Sequence, residues 1–181
     1  MTHKEIEVRF LKTTPKQLAE KLEKFHAVDK GEMLLEEVIF YDQDQKWRDE
    51  HKFVRIRKSG DTVTMTYKHN TGQTIDSMEE IEVEIDDFDD GIQIIEATGL
   101  QIVRRQQKRR HTFILGEVTL DFDTWPGLPT YLELEGQNEK NLQEAVSSLG
   151  LDWKDVVTLD ARSIIEQIYG IPVRDMTEFV F

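Results

Sequence analysis

Charged and apolar residues alternate along several short segments of the chain, as they do in β-strands that bury one face. The alternation predicts eight strands, at residues 5–10, 36–41, 53–57, 62–68, 80–85, 108–113, 117–123 and 131–135. Short turns at 58–61 and 115–116 separate two pairs of these strands and predict β-hairpins. The strands are therefore expected to form an antiparallel sheet.

Four other segments carry apolar residues at helical spacing. The first begins at Thr14-Pro15-Lys16-Gln17, a capping sequence with proline at the first helical position. The others are predicted at 87–98, 138–149 and 160–169, each followed closely by glycine. Because strands often follow strands through short turns, the pattern indicates an α+β fold, and we expect one domain spanning residues 1–181.

Composition narrows the possible chemistry. The chain has no cysteine, which excludes thiol catalysis, iron–sulfur clusters and cysteine-bound zinc. Its net charge of −13 argues against binding to duplex nucleic acid. The sequence holds no P-loop, nucleophile elbow or dinucleotide-binding fingerprint, so carboxylates, lysine and arginine must supply any catalysis. No apolar run suits a membrane span or a signal peptide, so we expect a cytoplasmic protein without a membrane partner.

Five predicted strands carry two residues of like charge, two positions apart, opposite their apolar face. These doublets are Glu5/Glu7, Arg55/Arg57, Glu82/Glu84, Lys108/Arg110 and Glu133/Glu135. A half-exposed sheet also places charges on its wet face, but such faces usually mix signs. If the sheet closed into a barrel, the cations could grip a polyanion and the carboxylates a divalent cation. The doublets therefore favour phosphate chemistry with metal assistance.

The order of these residues resembles the CYTH superfamily, the triphosphate tunnel metalloenzymes. Glu5-Ile6-Glu7-Val8-Arg9 is similar to the family's opening Glu-x-Glu-x-Lys motif. The later family motifs are matched in order by Arg55-Ile56-Arg57, Lys68, Glu82-Val83-Glu84, Lys108-Arg109-Arg110, Leu120-Asp121 and Glu133-Leu134-Glu135. The resemblance covers residues 5 to 135, and the C-terminal helices are compatible with it.

The resemblance implies a closed eight-stranded antiparallel β-barrel, with helices packed outside, that binds a triphosphate in its interior. It implies substrate binding by Arg55, Arg57, Lys68, Lys108 and Arg110, with Glu82 and Glu84 orienting these cations or holding a second metal. It implies Mg²⁺ or Mn²⁺ binding by Glu5, Glu7, Glu133 and Glu135. Catalytic roles are expected for Lys68, Arg9 and Asp121, whereas Asp123 is expected at the surface or in a turn.

Arg9 departs from the family pattern, which ends this motif in lysine. An arginine keeps the positive charge but does not release its proton at working pH. We therefore do not expect Arg9 to serve as a proton acceptor.

The function implied is a metal-dependent hydrolase acting on inorganic triphosphate, thiamine triphosphate, a nucleoside triphosphate or an RNA 5′ end. A class IV-type adenylyl cyclase, which converts ATP to cyclic AMP and pyrophosphate, is the alternative within the same superfamily. A module that binds phosphates without turnover is a third hypothesis, although it would gain nothing from lining carboxylates. A small triphosphate or nucleotide is the expected partner, and monomer and homodimer both stay open.

Overall fold

The described chain contains nine strands. The computed structural model describes residues 3–72 and 78–181, and the side chains of residues 3–5 and 78 lie outside that description. The strands are β1 (His3–Phe10), β2 (Val28–Tyr41), β3 (Lys52–Ser59), β4 (Thr62–Asn70), β5 (Met78–Ile85), β6 (Gln101–Leu115), β7 (Val118–Thr124), β8 (Tyr131–Gly136) and β9 (Glu178–Phe179).

Eight of these strands form one antiparallel sheet in the order β2-β3-β4-β5-β1-β8-β7-β6. β6 also pairs with β2, from Val28–Ile114 to Tyr41–Gln101, and β9 adds to β6 in parallel. The seam between β1 and β5 is much shorter, with described pairs only from His3–Glu80 to Glu5–Met78. The α+β antiparallel sheet is thus confirmed, but full closure is not. The sheet is strongly curled and is not a fully closed barrel.

The two longest strands, β2 and β6, bend around the concave side of the sheet. Their pairing shifts register between Asp29 and Glu32, where Gly31 adopts a positive φ of 82°. Such a bulge bends a strand and increases its twist, and glycine adopts this backbone conformation without a Cβ clash. The bulge therefore helps to curl the sheet.

Five described helices pack against the sheet, the first four on its convex side and the last at the concave interior. They are α1 (Pro15–Lys24), α2 (Lys46–Asp49), α3 (Phe88–Ala97), α4 (Glu139–Ser148) and α5 (Ala161–Ser163), which continues as the π-helical turn Ile164–Ile168. The helices predicted from Thr14, at 87–98 and at 138–149 are present, although the Thr14 hydroxyl makes no capping hydrogen bond. The segment predicted at 160–169 is mostly the π-helical turn, and α2 was not predicted. No described helix is long and apolar enough to cross a membrane.

Apolar strand faces are buried under these helices in two main clusters. Leu120, Leu132 and Leu134 pack with residues of α1 and α4, while Phe40 and Ile56 pack with residues of α3. Burying one such side chain contributes about 1.5–3 kcal/mol. Since successive strand residues point to opposite faces, this packing turns the charged faces toward the concave interior.

A third cluster lies under the C-terminal segment. Trp125 and Tyr131 pack with Ile165, Val173 and Phe179, and the Trp125 Nε1–H donates to the Tyr131 hydroxyl at 3.1 Å. This packing holds residues 160–175 against the sheet, where several of them line the interior cavity.

Candidate functional site

The concave side of the sheet encloses a cavity of about 340 Å³. Its charged lining comes from seven strands and the C-terminal segment: Glu7, Arg9, Glu37, Arg55, Arg57, Lys68, Glu80, Glu82, Arg104, Lys108, Arg110, Glu133, Glu135, Asp160 and Arg162. The alternating strands therefore direct their charges into one common space. All five predicted substrate-binding cations line this cavity.

Glu37 of β2 anchors one side of the cavity. Its Oε1 accepts from Arg57 Nε at 2.7 Å and lies 3.7 Å from Arg55 Nη1, while Oε2 accepts from Gln106 Nε2 at 2.6 Å. Burial alone would raise the pKa of Glu37, but Arg57 and Arg55 hold it well below its usual value. Glu37 is therefore a fixed negative charge that holds the two arginines of β3 side by side.

Arg55 is buried but incompletely paired. Its Nη2 donates to the Thr66 hydroxyl at 3.3 Å and lies 3.7 Å from Glu82 and 3.9 Å from Glu80. Its Nε is buried and has no hydrogen-bond partner among the described residues. Burial lowers the pKa of Arg55, and the neighbouring Arg57 lowers it further. A buried donor without a partner costs about 1–3 kcal/mol, so ligand oxygens that accept from Arg55 would remove that cost.

Lys108 and Arg110 of β6 share Asp123 of β7. Lys108 Nζ lies 2.6 Å from Asp123 Oδ2, and Arg110 Nε lies 2.6 Å from Oδ1. Burial and the neighbouring Arg110 both lower the pKa of Lys108. The prediction that Asp123 lies at the surface is wrong, because its side chain is wholly buried between the two cations and the sheet.

Asp121 lies two residues before Asp123 on the same face of β7 and also binds Arg110. Arg110 Nη1 lies 2.5 Å from Asp121 Oδ2, and the Thr112 hydroxyl donates to Asp121 Oδ1 at 2.5 Å. Burial raises the pKa of Asp121 despite the opposing effect of Arg110. Asp121 and Asp123 lie behind Arg110 and are not part of the cavity lining. Their contacts show that they position Arg110.

Arg9 contacts two of the predicted metal ligands, Glu7 and Glu133. Its Nε donates to Glu133 Oε2 at 2.6 Å, its Nη2 lies 2.7 Å from Glu7 Oε1, and its Nη1 donates to the Leu159 carbonyl at 2.8 Å. Burial opposes the charge, but Glu133 and Glu7 raise the pKa of Arg9 well above its usual value. Arg9 therefore stays protonated, as the sequence predicted for an arginine at this position.

The predicted metal set is only partly visible. Glu7, Glu133 and Glu135 line the cavity, and the side chain of Glu5 lies outside the described residues. Among the residues the structure describes, no three carboxylates or histidines converge to hold a metal ion. The metal set stays a prediction.

The β5 carboxylates divide differently from the sequence prediction. Glu82 lines the cavity and accepts from the Thr66 hydroxyl at 2.7 Å, whereas Glu84 is exposed and lies outside the lining. Glu80, which was not predicted, lines the cavity, and its Oε2 lies 2.5 Å from Lys68 Nζ. The β5 carboxylates that face the cavity are therefore Glu80 and Glu82, instead of the predicted Glu82 and Glu84.

One end of the cavity is more apolar than the rest. Ile39, Tyr41 and Phe53 line it together with Ile165 of the C-terminal segment. Arg104, also not predicted, donates through Nη1 to the Val173 carbonyl at 3.0 Å and through Nε to Gln106 at 2.7 Å. Extending the alternation of β6 back from Lys108 would have found both Gln106 and Arg104. The cavity thus combines a cationic part with space beside aromatic and aliphatic side chains.

The curled antiparallel sheet and its charged interior agree with the family that the sequence motifs resemble. The sequence matches the CYTH domain family over residues 3–163, so the chain belongs to that family, as its motifs indicated. No curated protein matches the chain significantly by sequence.

Solved structures share the fold at low sequence identity. The PH1012 protein of Pyrococcus horikoshii OT3 is 24% identical, with a TM-score of 0.71 over 86% of this chain and 96% of that one. A "putative adenylate cyclase" from Vibrio parahaemolyticus is 14% identical, with a TM-score of 0.75 over 91% and 98%. A Hippeastrum protein, named a "putative adenylyl cyclase" and described as revealing a dominant triphosphatase activity, is 13% identical, with a TM-score of 0.65 over 93% and 97%.

Proposed function

We propose that this protein hydrolyses small substrates that end in a triphosphate, such as inorganic triphosphate, thiamine triphosphate or a nucleoside triphosphate. The observation that carries the proposal is Arg55, a buried guanidinium at the cavity wall whose Nε has no partner among the described residues. Membership of the CYTH family and the triphosphatase activity in the name of the Hippeastrum neighbour support the same conclusion.

The cations are held in place before any ligand arrives. Glu37 fixes Arg55 and Arg57, Glu80 contacts Lys68, and Asp123 fixes Lys108 and Arg110. Such a preorganised array stabilises charge without further reorganisation, which is usually the largest contribution to phosphoryl-transfer catalysis. The buried carboxylates are therefore consistent with an enzyme whose cations must keep fixed positions.

In the proposed reaction, the cations bind the phosphate chain and water attacks the terminal phosphorus. The bond from that phosphorus to the bridging oxygen breaks, the diphosphate part of the substrate leaves with that oxygen and the electron pair, and a proton of the water passes to a phosphate oxygen. Arg55, Arg57 and Lys68 would neutralise the charge that spreads over the phosphate oxygens. Arg9 remains protonated and supplies charge rather than accepting a proton.

A divalent cation, Mg²⁺ or Mn²⁺, remains part of the proposal, because triphosphate tunnel enzymes of this family are generally metal-dependent. Carboxylate oxygens suit such hard cations. In the described arrangement, however, Glu7 and Glu133 do not form a ready site, because both already bind Arg9. We therefore derive no catalytic step through a metal.

Adenylyl cyclase activity is the second candidate. The observation that favours it is the apolar end of the cavity, where Tyr41 and Phe53 provide space beside the cations for a nucleobase. In that reaction the ribose 3′-hydroxyl would attack the α-phosphate, and pyrophosphate would leave. The same triphosphate-binding residues would serve both reactions, so product analysis must separate them.

The test is to incubate the protein with inorganic triphosphate, thiamine triphosphate and ATP, with Mg²⁺ or Mn²⁺, and to quantify orthophosphate and cyclic AMP. We expect orthophosphate from at least one substrate and its loss in Arg55→Ala. Lys58→Ala, an exposed lysine near the end of the same strand and outside the cavity lining, is the matched control and should keep full activity. Cyclic AMP with pyrophosphate would instead establish the cyclase, and saturable binding without any product would establish a binding module.

A further inference from the structure

The Arg9 guanidinium lies between the carboxylates of Glu7 and Glu133 and contacts both. Its Nη2 lies 2.7 Å from Glu7 Oε1, and its Nε lies 2.6 Å from Glu133 Oε2. One cation thus already bridges two of the carboxylates that the sequence assigns to a metal.

Glu133 has both oxygens engaged in this arrangement. Oε2 accepts from Arg9, and Oε1 accepts from Arg110 Nη2 at 2.8 Å. Hydrogen bonds between guanidinium and carboxylate groups are among the strongest in proteins, so a metal ion at Glu133 would compete with two of them and with two nearby positive charges.

The backbone holds Arg9 in this position. Its N–H donates to the Val157 carbonyl and its carbonyl accepts from the Val157 N–H, both at 2.9 Å, and Nη1 donates to the Leu159 carbonyl. A planar guanidinium spreads its N–H groups over three nitrogens in a fixed fork, which suits it to separated acceptors better than the ammonium of lysine, whose donors share one nitrogen. Only 4% of the surface of Arg9 is exposed, so solvent does little to weaken the contacts.

We propose that Arg9 acts as a built-in counter-cation for Glu7 and Glu133, which keeps divalent cations off these two carboxylates in the substrate-free protein. This inference concerns metal binding alone. It stands or falls without any turnover of a triphosphate, so it can be tested independently of the proposed function.

The experiment is a titration of substrate-free protein with Mn²⁺, followed by electron paramagnetic resonance of the free ion. Each protein is compared with the same protein carrying Glu133→Gln, and the difference isolates binding that depends on Glu133. Wild type should show no such difference at millimolar Mn²⁺. Arg9→Gln, which removes the charge and keeps a polar side chain, should bind Mn²⁺ about tenfold or more tightly than Arg9→Gln/Glu133→Gln.

If circular dichroism shows that Arg9→Gln does not fold, Arg9→Lys is the second variant to test. Its shorter reach should leave Glu7 or Glu133 unpaired, so Glu133-dependent Mn²⁺ binding should again exceed that of wild type. Two results would overturn the proposal: Glu133-dependent Mn²⁺ binding in wild type, or its absence from a folded Arg9 variant.

Discussion

Arg110 binds Asp123 side-on, with Nε 2.6 Å from Oδ1 and Nη2 2.6 Å from Oδ2. The same guanidinium also contacts Asp121 and Glu133, so three carboxylates surround it. Arg55, in contrast, keeps a buried Nε without a partner among the described residues. These two arginines of the cavity therefore differ: Arg110 is saturated by carboxylates, whereas Arg55 keeps one N–H that could donate to a ligand.

Asp123→Ala should strongly destabilise the protein. The change leaves Lys108 and Arg110 buried without their shared carboxylate, and removing one partner of a buried ion pair typically costs about 3–5 kcal/mol. Urea denaturation followed by circular dichroism would measure the loss. Asp61→Ala, in the exposed turn between β3 and β4, is the control and should change stability by less than about 0.5 kcal/mol. Equal, small effects of both variants would show that Asp123 does not anchor the cations.

Arg55→Ala should weaken triphosphate binding while changing stability little. The side chain is incompletely paired, and Glu37 keeps Arg57 and Gln106 when Arg55 is removed. We expect the dissociation constant to rise by about ten- to a hundredfold, the usual range for losing one charge-assisted contact of about 1.5–3 kcal/mol. Calorimetry and thermal melting measure the two quantities. A large fall in melting temperature with unchanged affinity would make Arg55 a purely structural residue.

Acid should destabilise the folded protein through Glu37 and Glu133. Their pKa values lie below the ordinary value of 4.5, so the unfolded chain binds more protons than the folded one once the pH falls below that value. The stability that these groups contribute is therefore present above pH 4.5 and is lost progressively as the pH falls below it. Denaturant midpoints between pH 3 and pH 7 would measure the profile.

Glu37→Gln provides the matched variant for that profile. It should be less stable than wild type at pH 7 and should depend less on pH in the acid range. Glu36→Gln alters the next residue, which is exposed on the other face of β2, and should leave the profile as it is. If Glu37→Gln followed the wild-type curve, the acid sensitivity would have to come from other carboxylates.

Leu134→Ala should destabilise the protein by about 2–5 kcal/mol, because it opens a cavity in the wholly buried cluster beneath α1 and α4. Triphosphate affinity of the folded fraction should stay within twofold, since Leu134 points away from the charged interior. Denaturation and calorimetry at low temperature separate the effects. A loss of affinity without a loss of stability would place Leu134 on the ligand side of the sheet.

The alternation of charged and apolar residues predicted where eight strands lie and which of their faces point inward. Both depend on only a few neighbouring residues. The first half of β2 was missed because Asp29, Lys30, Gly31 and Glu32 interrupt the apolar pattern around the bulge. The start of β6 was missed because Arg104 and Arg105 are adjacent charges that hide the alternation.

The pairings within the cavity depend on strand register, which a single sequence does not contain. Glu37 meets Arg57 because β2 pairs directly with β3 at these residues, and Asp123 is covered because Arg110 lies opposite it on β6. The short β1–β5 seam likewise depends on where β1 begins against β5. Residue types thus predicted the chemistry of the cavity, whereas long-range pairing determines which carboxylate holds which cation.

The most direct test of the central claim is calorimetric titration with inorganic triphosphate in the presence of a chelator. We predict saturable binding of one molecule per chain, abolished in Arg55→Ala/Lys108→Ala and preserved in Lys30→Ala/Lys58→Ala, whose two lysines are exposed outside the cavity. Absence of saturable binding, or equal binding by both double variants, would contradict the claim that the charged interior is a triphosphate site.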